Sequence, residues 1–133
     1  LNTLLKLKCV PIINENDTVA TEEIKFGDND RLSALVSILV GADLLIILSD
    51  VDGLLDRNKK VIRQVERITG EIKSLACPIN KKTCVGGMTT KIEAARIAVE
   101  GGVPCVIANG RKGKIVSQLA RDPFCQGTIF LSR

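Results

Sequence analysis

Three stretches of the chain concentrate the side chains that do chemistry. The first runs from Pro11 to Asp30 and gathers Asn14, Glu15, Asn16, Asp17, Asp28, Asn29 and Asp30 around a short apolar run. Carboxylates and amides at this density can hold an ammonium group, orient a lysine or, beside phosphates, take Mg²⁺ through water. The same residues suit an Asx turn and a helix N-cap over Asp28 to Asp30, and one can cap while another binds. The second stretch, Val85-Gly86-Gly87-Met88-Thr89-Thr90-Lys91, opens a helix. Its glycines let backbone N–H groups approach an anion closely. A helix N-terminus adds unpaired donors and partial positive charge, and Lys91 can neutralise a phosphoryl group in transfer. The spacing is not that of a Walker A loop, so a plain glycine loop with Thr89 as N-cap and Lys91 in solvent stays open. The third is Ser49-Asp50-Val51-Asp52-Gly53, directly after five aliphatic residues, Leu44 to Leu48. In open α/β sheets ligands bind at the carboxyl ends of strands. Ser49 and Asp50 are placed there to meet a nucleotide's phosphates, sugar or base, although Asp-Gly is equally the signal of a tight turn.

Composition removes several chemistries. The chain of 133 residues has no histidine, which takes away His-based general bases, Ser-His-Asp triads and most zinc sites. Three Phe and no Trp or Tyr leave no stacking platform for single-stranded nucleic acid. The net charge of +4 comes from scattered residues, with Lys59-Lys60 and Lys81-Lys82 as pairs rather than tracts, so the expectation is no nucleic-acid partner. Five cysteines, Cys9, Cys77, Cys84, Cys105 and Cys125, form no Cys-x-x-Cys pair. Cys9 and Cys105 lie in apolar runs and read as small buried hydrophobes. A reducing, cytoplasmic setting fits this usage better than secretion. The most apolar stretch, Leu32 to Leu48, is broken by Ser33, Ser37, Gly41 and Asp43 and reads as a helix plus a strand, with no membrane span.

The elements that must position these residues follow from periodicity. Leu1 to Lys8 reads as the last turns of an amphipathic helix. Cys9 to Asn14 is expected to be a buried strand ending in a polar loop at Glu15 to Asp17. Thr18 to Phe26 fits a hairpin or an irregular loop. A helical pattern runs through Leu32, Leu35, Val36, Leu39 and Val40 and closes at Gly41. Leu44 to Leu48 reads as a fully buried central strand of a parallel sheet. Leu54 to Asn58 is expected to turn, Val61 to Val65 to form a strand, and Thr69 to Ala76 a short helix or loop. Cys77 to Cys84 has no periodicity and is expected to be mobile. From Thr89 a helix runs through Ile92, Ala95, Ala98 and Val99 to Gly101-Gly102. Val103 to Ala108 is a buried strand with a polar end at Asn109-Gly110, Lys114 to Ala120 a helix, and Gly127 to Leu131 a last strand. This alternation predicts a three-layer α/β/α sandwich with a mostly parallel sheet.

Five motifs in order carry a resemblance: Pro-Ile-Ile-Asn-Glu-Asn-Asp-Thr-Val, Gly-Asp-Asn-Asp-x-Leu-Ser-Ala, Leu-Ser-Asp-Val-Asp-Gly-Leu, Gly-Gly-Met-x-Thr-Lys and Val-Ile-Ala-Asn-Gly. Together, from Leu1 to about Leu131, the chain resembles the bacterial glutamate 5-kinase family of the amino acid kinase superfamily. The resemblance implies MgATP-dependent phosphorylation of the γ-carboxylate of L-glutamate, the first step of proline biosynthesis, with ATP and Mg²⁺ as cofactors and a homo-oligomer when full length. It implies that Asp17 and Asn29 bind glutamate, that Ser49, Asp50 and Val85, Gly86, Gly87, Met88, Thr89, Thr90 and Lys91 bind ATP, that Lys91 stabilises the phosphoryl in flight and that Asp30 orients catalytic groups. It assigns no metal-ligating side chain.

Two departures matter. Cys84-Val85 stand where the family has Gly-Thr, which removes a hydroxyl and a flexible hinge. The family's first strand, its glycine-rich phosphate loop with a catalytic lysine and a second substrate loop are expected upstream. Residues 1–133 are therefore expected to be the C-terminal portion of a single amino acid kinase domain with its N-terminal part missing, and inactive alone. The same motifs leave open a superfamily member acting on another carboxylate or phosphate acceptor, or a non-catalytic nucleotide-binding remnant.

Overall fold

A computed structural model describes residues 1–15, 29–76 and 87–132. In chain order the elements are α1 (Asn2–Lys6), α2 (Asn29–Val40), β1 (Leu45–Ser49), β2 (Gln64–Val65), α3 (Gly70–Leu75), α4 (Gly87–Glu100), β3 (Cys105–Asn109), α5 (Ile115–Arg121) and β4 (Thr128–Phe130). The strands form one sheet in the order β1-β3-β4-β2. β1 and β3 are parallel, β2 and β4 are parallel, and only the β3–β4 pair is antiparallel.

Register keeps the two faces of the sheet in phase. Leu45 pairs with Cys105, Cys105 with Phe130, and Phe130 with Val65, so these four side chains share one face. Ile47 and Ile107 join them, and α2 and α4 cover that face through Ala34, Ile92, Ala95 and Ala98. One residue along, Val106 pairs with Ile129 and points the other way, where Ala108 and the Ile115 and Leu119 side chains of α5 complete a second cluster. Alternation of side chains along a strand thus gives one sheet two cores, and helices on both sides make the three-layer α/β/α sandwich with its mostly parallel sheet.

α2 and α4 lie side by side and run the same way. At one end Asp30 meets Thr90 and Lys91. At the other, Gly101 passes against Ile38, where any Cβ would collide with the isoleucine side chain. α2 ends in a left-handed glycine, Gly41 at φ +63°, and the Ala42 N–H returns to the Ser37 carbonyl, a Schellman-type stop.

Three expectations need correction. Cys9 to Asn14 is not a buried strand: Val10 is 87% and Ile12 96% exposed, and Cys9 is exposed as well. Its backbone instead closes α1, with the Lys8 and Cys9 N–H groups donating to the Leu5 and Leu4 carbonyls and Lys8 at φ +57°. An apolar run becomes a buried strand only where a neighbouring edge and a covering layer accept it, and no described strand pairs with this one. Leu44 to Leu48 does form a parallel strand, but β1 is at the edge of the described sheet rather than its centre, and Leu48 is 45% exposed. The helix expected from Thr89 begins at Gly87, so Thr89 lies inside the first turn and is not its N-cap. Thr18 to Phe26 and Cys77 to Cys84 lie outside the described residues.

Candidate functional site

The connection α2–β1 and the connection α4–β3 each run down a helix and up a strand, so both helix N-termini reach the edge where β1 and β3 end. The first turns of α2 and α4 therefore stand together beside Ser49 and Asn109. A helix N-terminus offers unpaired N–H groups and about half a positive charge. The first turn of α4 carries no acidic residue, so nothing in it opposes an anion.

Between β1 and α4 lies a cleft of about 440 Å³, lined by Leu48, Ser49, Asp50 and Val51 on one side and Gly87, Met88 and Lys91 on the other. Lys91 reaches across the top of the helix pair: its Nζ donates to Asp30 Oδ2 at 2.8 Å. The Thr90 hydroxyl lies 3.2 Å from the same carboxylate oxygen and 3.0 Å from the Gly87 carbonyl. The Lys91 and Asp30 side chains are only 16% and 22% exposed. This carboxylate holds the ammonium group on the cleft wall, and Lys91 still lines the open space.

Asn29, one residue before Asp30, has a tethering role. Its Oδ1 accepts from the Glu15 N–H at 3.1 Å and its Nδ2 donates to Asn14 Oδ1 at 3.0 Å. The acidic-amide segment around Asn14 and Glu15 is thereby fastened to the start of α2, although fourteen residues separate Glu15 from Asn29 along the chain. Asp17, Val85 and Gly86 lie outside the described residues.

Two buried polar atoms at this end lack a hydrogen-bond partner among the described residues: Thr89 Oγ1, in the first turn of α4, and Glu15 Oε2. A buried hydroxyl without a partner costs about 1–3 kcal/mol. No group of three or more carboxylates or thiols able to hold a metal occurs among the described residues.

The β1 loop is held from the side opposite α4. Asp52 accepts from Asn109 Nδ2 at 3.0 Å and pairs with Lys112 Nζ at 2.9 Å. The hydrogen bond from Lys112, then that from Asn109, hold its carboxyl below the usual range. Further along, the Leu54 N–H donates to Thr128 Oγ1, and the Thr128 hydroxyl donates to the Ile62 carbonyl, at 2.8 and 2.7 Å. Neither Lys112 nor Thr128 stood out in the sequence. Only the Asn-Gly end of a buried strand marked this neighbourhood, and a threonine inside an apolar strand gives no signal.

The model of the amino acid kinase family matches residues 1–109. Among curated proteins, the glutamate 5-kinase of Caldanaerobacter subterraneus subsp. tengcongensis is 49% identical over 137 aligned positions, which cover 98% of this chain and 37% of the relative. Glutamate 5-kinase 1 of Rhizobium meliloti is 51% identical over 117, covering 84% and 30%. The chain thus spans about a third of the length of these relatives. Among solved structures, N-acetylglutamate synthase from Neisseria gonorrhoeae matches with a TM-score of 0.61 at 24% identity, over 78% of this chain and 23% of that one. Carbamate kinase from Giardia lamblia matches at 0.55 and 22%, over 80% and 36%. At that identity the two structures speak for the fold, while the family match and the curated relatives speak for descent: the chain belongs to the amino acid kinase family.

Proposed function

We propose that this chain supplies the C-terminal portion of an amino acid kinase domain whose reaction is ATP-dependent phosphorylation of the γ-carboxylate of L-glutamate, giving glutamyl 5-phosphate and ADP as the first step of proline biosynthesis. The observation that carries the reading is the contact between the two motif groups: Asp30 of the acidic-amide stretch bonds Lys91 of the diglycine stretch at 2.8 Å. The relatives named glutamate 5-kinase support the choice of acceptor.

In this reading the donor lies in the cleft between β1 and α4. The N–H groups of Gly87 to Thr90 and the Thr89 hydroxyl take phosphate oxygens. Ser49 and Asp50 take the sugar or base, since the Asp50 carboxylate repels phosphate and suits a hydroxyl or amine. Asp17 and Asn29 hold the ammonium group and neighbouring polar atoms of glutamate. A γ-carboxylate oxygen then forms a bond to the γ-phosphorus while the bond to the β,γ-bridging oxygen breaks, and ADP leaves with the electron pair. The carboxylate is already a nucleophile, so no proton has to move and no histidine is needed. Positioning and charge neutralisation suffice. Lys91 supplies the charge and Asp30 fixes where it stands. Mg²⁺, bound with ATP, supplies further neutralisation of the phosphates.

The test is to titrate MgATP and L-glutamate separately against the purified chain and against a longer protein that contains it. We expect MgATP binding by the chain, lost in Lys91→Met, and glutamate-dependent turnover only when a further polypeptide provides a first phosphate loop. Fast turnover by the 133-residue chain alone would overturn the partition of the site. Turnover with another acceptor in place of glutamate would replace the substrate, and nucleotide binding with no response to any amino acid in the longer protein would leave only a nucleotide-binding remnant.

A further inference from the structure

We infer that Thr128, from the strand that follows the family-matched span, is a positioning residue for the nucleotide-side loop Ser49 to Leu54. The inference rests on the reading of that loop as part of the donor site. β4 runs against β3, so its first residue returns to the edge where β1 and β3 end, and Thr128 pairs with Ile107 there. Its side chain is fully buried. The hydroxyl uses both its capacities at once, accepting from the Leu54 N–H and donating to the Ile62 carbonyl. It therefore joins the two ends of the excursion between β1 and β2, which lie 74 and 66 residues away in sequence.

The surroundings leave the hydroxyl one pose. Gly53 sits at φ +145°, and a Cβ there would come within 2.6 Å of Thr128 Oγ1. Gly127 sits at φ +81°, with the Ile107 carbonyl where its Cβ would be. Two glycines in conformations that other residues rarely adopt thus bring the backbone of the β1 loop onto Thr128. From Leu54 the loop runs back through Gly53 and Asp52 to Asp50, which lines the cleft. Fixing Leu54 and Ile62 fixes the stem on which Asp50 stands. A loop held by buried hydrogen bonds need not be ordered when ligand arrives.

The variants are Thr128→Val, which keeps the shape and removes both hydrogen bonds, and Thr128→Ser, which keeps both. The measurements are MgATP affinity and amide hydrogen exchange, each with thermal unfolding of the same sample. Thr128→Val is expected to weaken MgATP binding by about tenfold and to speed exchange at Asp50 to Leu54, while exchange in β3 stays slow. Thr128→Ser is expected to restore both readouts. Should Thr128→Val not fold, Thr128→Ala, which removes the hydroxyl and both of its hydrogen bonds, takes its place in the comparison. Unchanged affinity in a valine or alanine variant, or loss in the serine variant equal to that in valine, overturns the inference. If the native chain binds no MgATP, the donor-site reading fails instead, and exchange at Asp50 to Leu54 alone decides whether Thr128 holds the loop; unchanged exchange there overturns it.

Discussion

Lys91 Nζ stands 2.8 Å from Asp30 Oδ2 at the start of two parallel helices, and both side chains are mostly withdrawn from solvent. The pair ties two segments that are 61 residues apart. Because Asp30 also bonds Thr90, single substitutions do not isolate it. A double-mutant cycle with Asp30→Asn and Lys91→Met, followed by chemical unfolding, is expected to give a coupling of about 1–3 kcal/mol. A coupling indistinguishable from zero would mean that the lysine is held by something else.

At the far end of the same helices the fit is steric. Gly101 has no room for a side chain because Ile38 occupies the space. Gly101→Ala is expected to cost about 1–3 kcal/mol, as overpacking in a well-filled contact does. Shortening the neighbour in the same chain, Gly101→Ala with Ile38→Val, should recover part of the loss in denaturant midpoint.

Core and surface should respond very differently. Phe130 is fully buried at the junction of β4 with β3 and β2, and Phe130→Ala is expected to cost about 3–5 kcal/mol. Arg57 and Glu71 approach only to 3.9 Å with both side chains about three-quarters exposed. Arg57→Ala should shift stability by less than about 0.5 kcal/mol. Urea midpoints of the two variants check both numbers.

Cys105 gives a pH dependence of definite sign. Burial in the sheet pushes its thiol from 9.0 up to about 12. The unfolded chain ionises this thiol as pH passes about 9, while the folded chain keeps it protonated. Its contribution to stability is therefore full below pH 9 and declines between pH 9 and 12. Stability measured across this range should fall less steeply in Cys105→Ala. A thiol reagent at neutral pH is expected to modify exposed Cys9 and Cys125 in the native chain and to reach Cys105 only on unfolding.

The layered architecture was legible because its signals are local. The Leu32 to Val40 periodicity, the aliphatic runs before Ser49 and Asn109, and Gly41 as a stop all follow from side-chain spacing along one element. The site was legible in part for the same reason: a diglycine turn opening a helix and a polar loop after a strand mark themselves. That Asp30 would meet Lys91 was an expectation about lysine orientation in general, and the parallel packing of α2 and α4 made it particular. What spacing could not reveal was whether a neighbour exists. Cys9 to Asn14 has a strand's composition, yet composition does not say which edge will receive it. Leu44 to Leu48 reads as central for the same reason, although a described strand lies on only one side. The Thr128 contacts depend on the reversal of β4 against β3 and the Asn109 contact on the parallel pairing of β1 with β3, topological facts with no signature in any one strand.

The exposed aliphatic run through Val10 and Ile12, with Leu48 on the outer strand β1, has a practical consequence. An outer strand presents a row of backbone donors and acceptors that any extended peptide can continue, and greasy side chains nearby make such an encounter sticky. Handled alone at high concentration, this polypeptide is expected to clump through these exposed residues. Light scattering should grow with concentration and be suppressed when a charge replaces an aliphatic residue there, as in Ile12→Lys or Leu48→Lys.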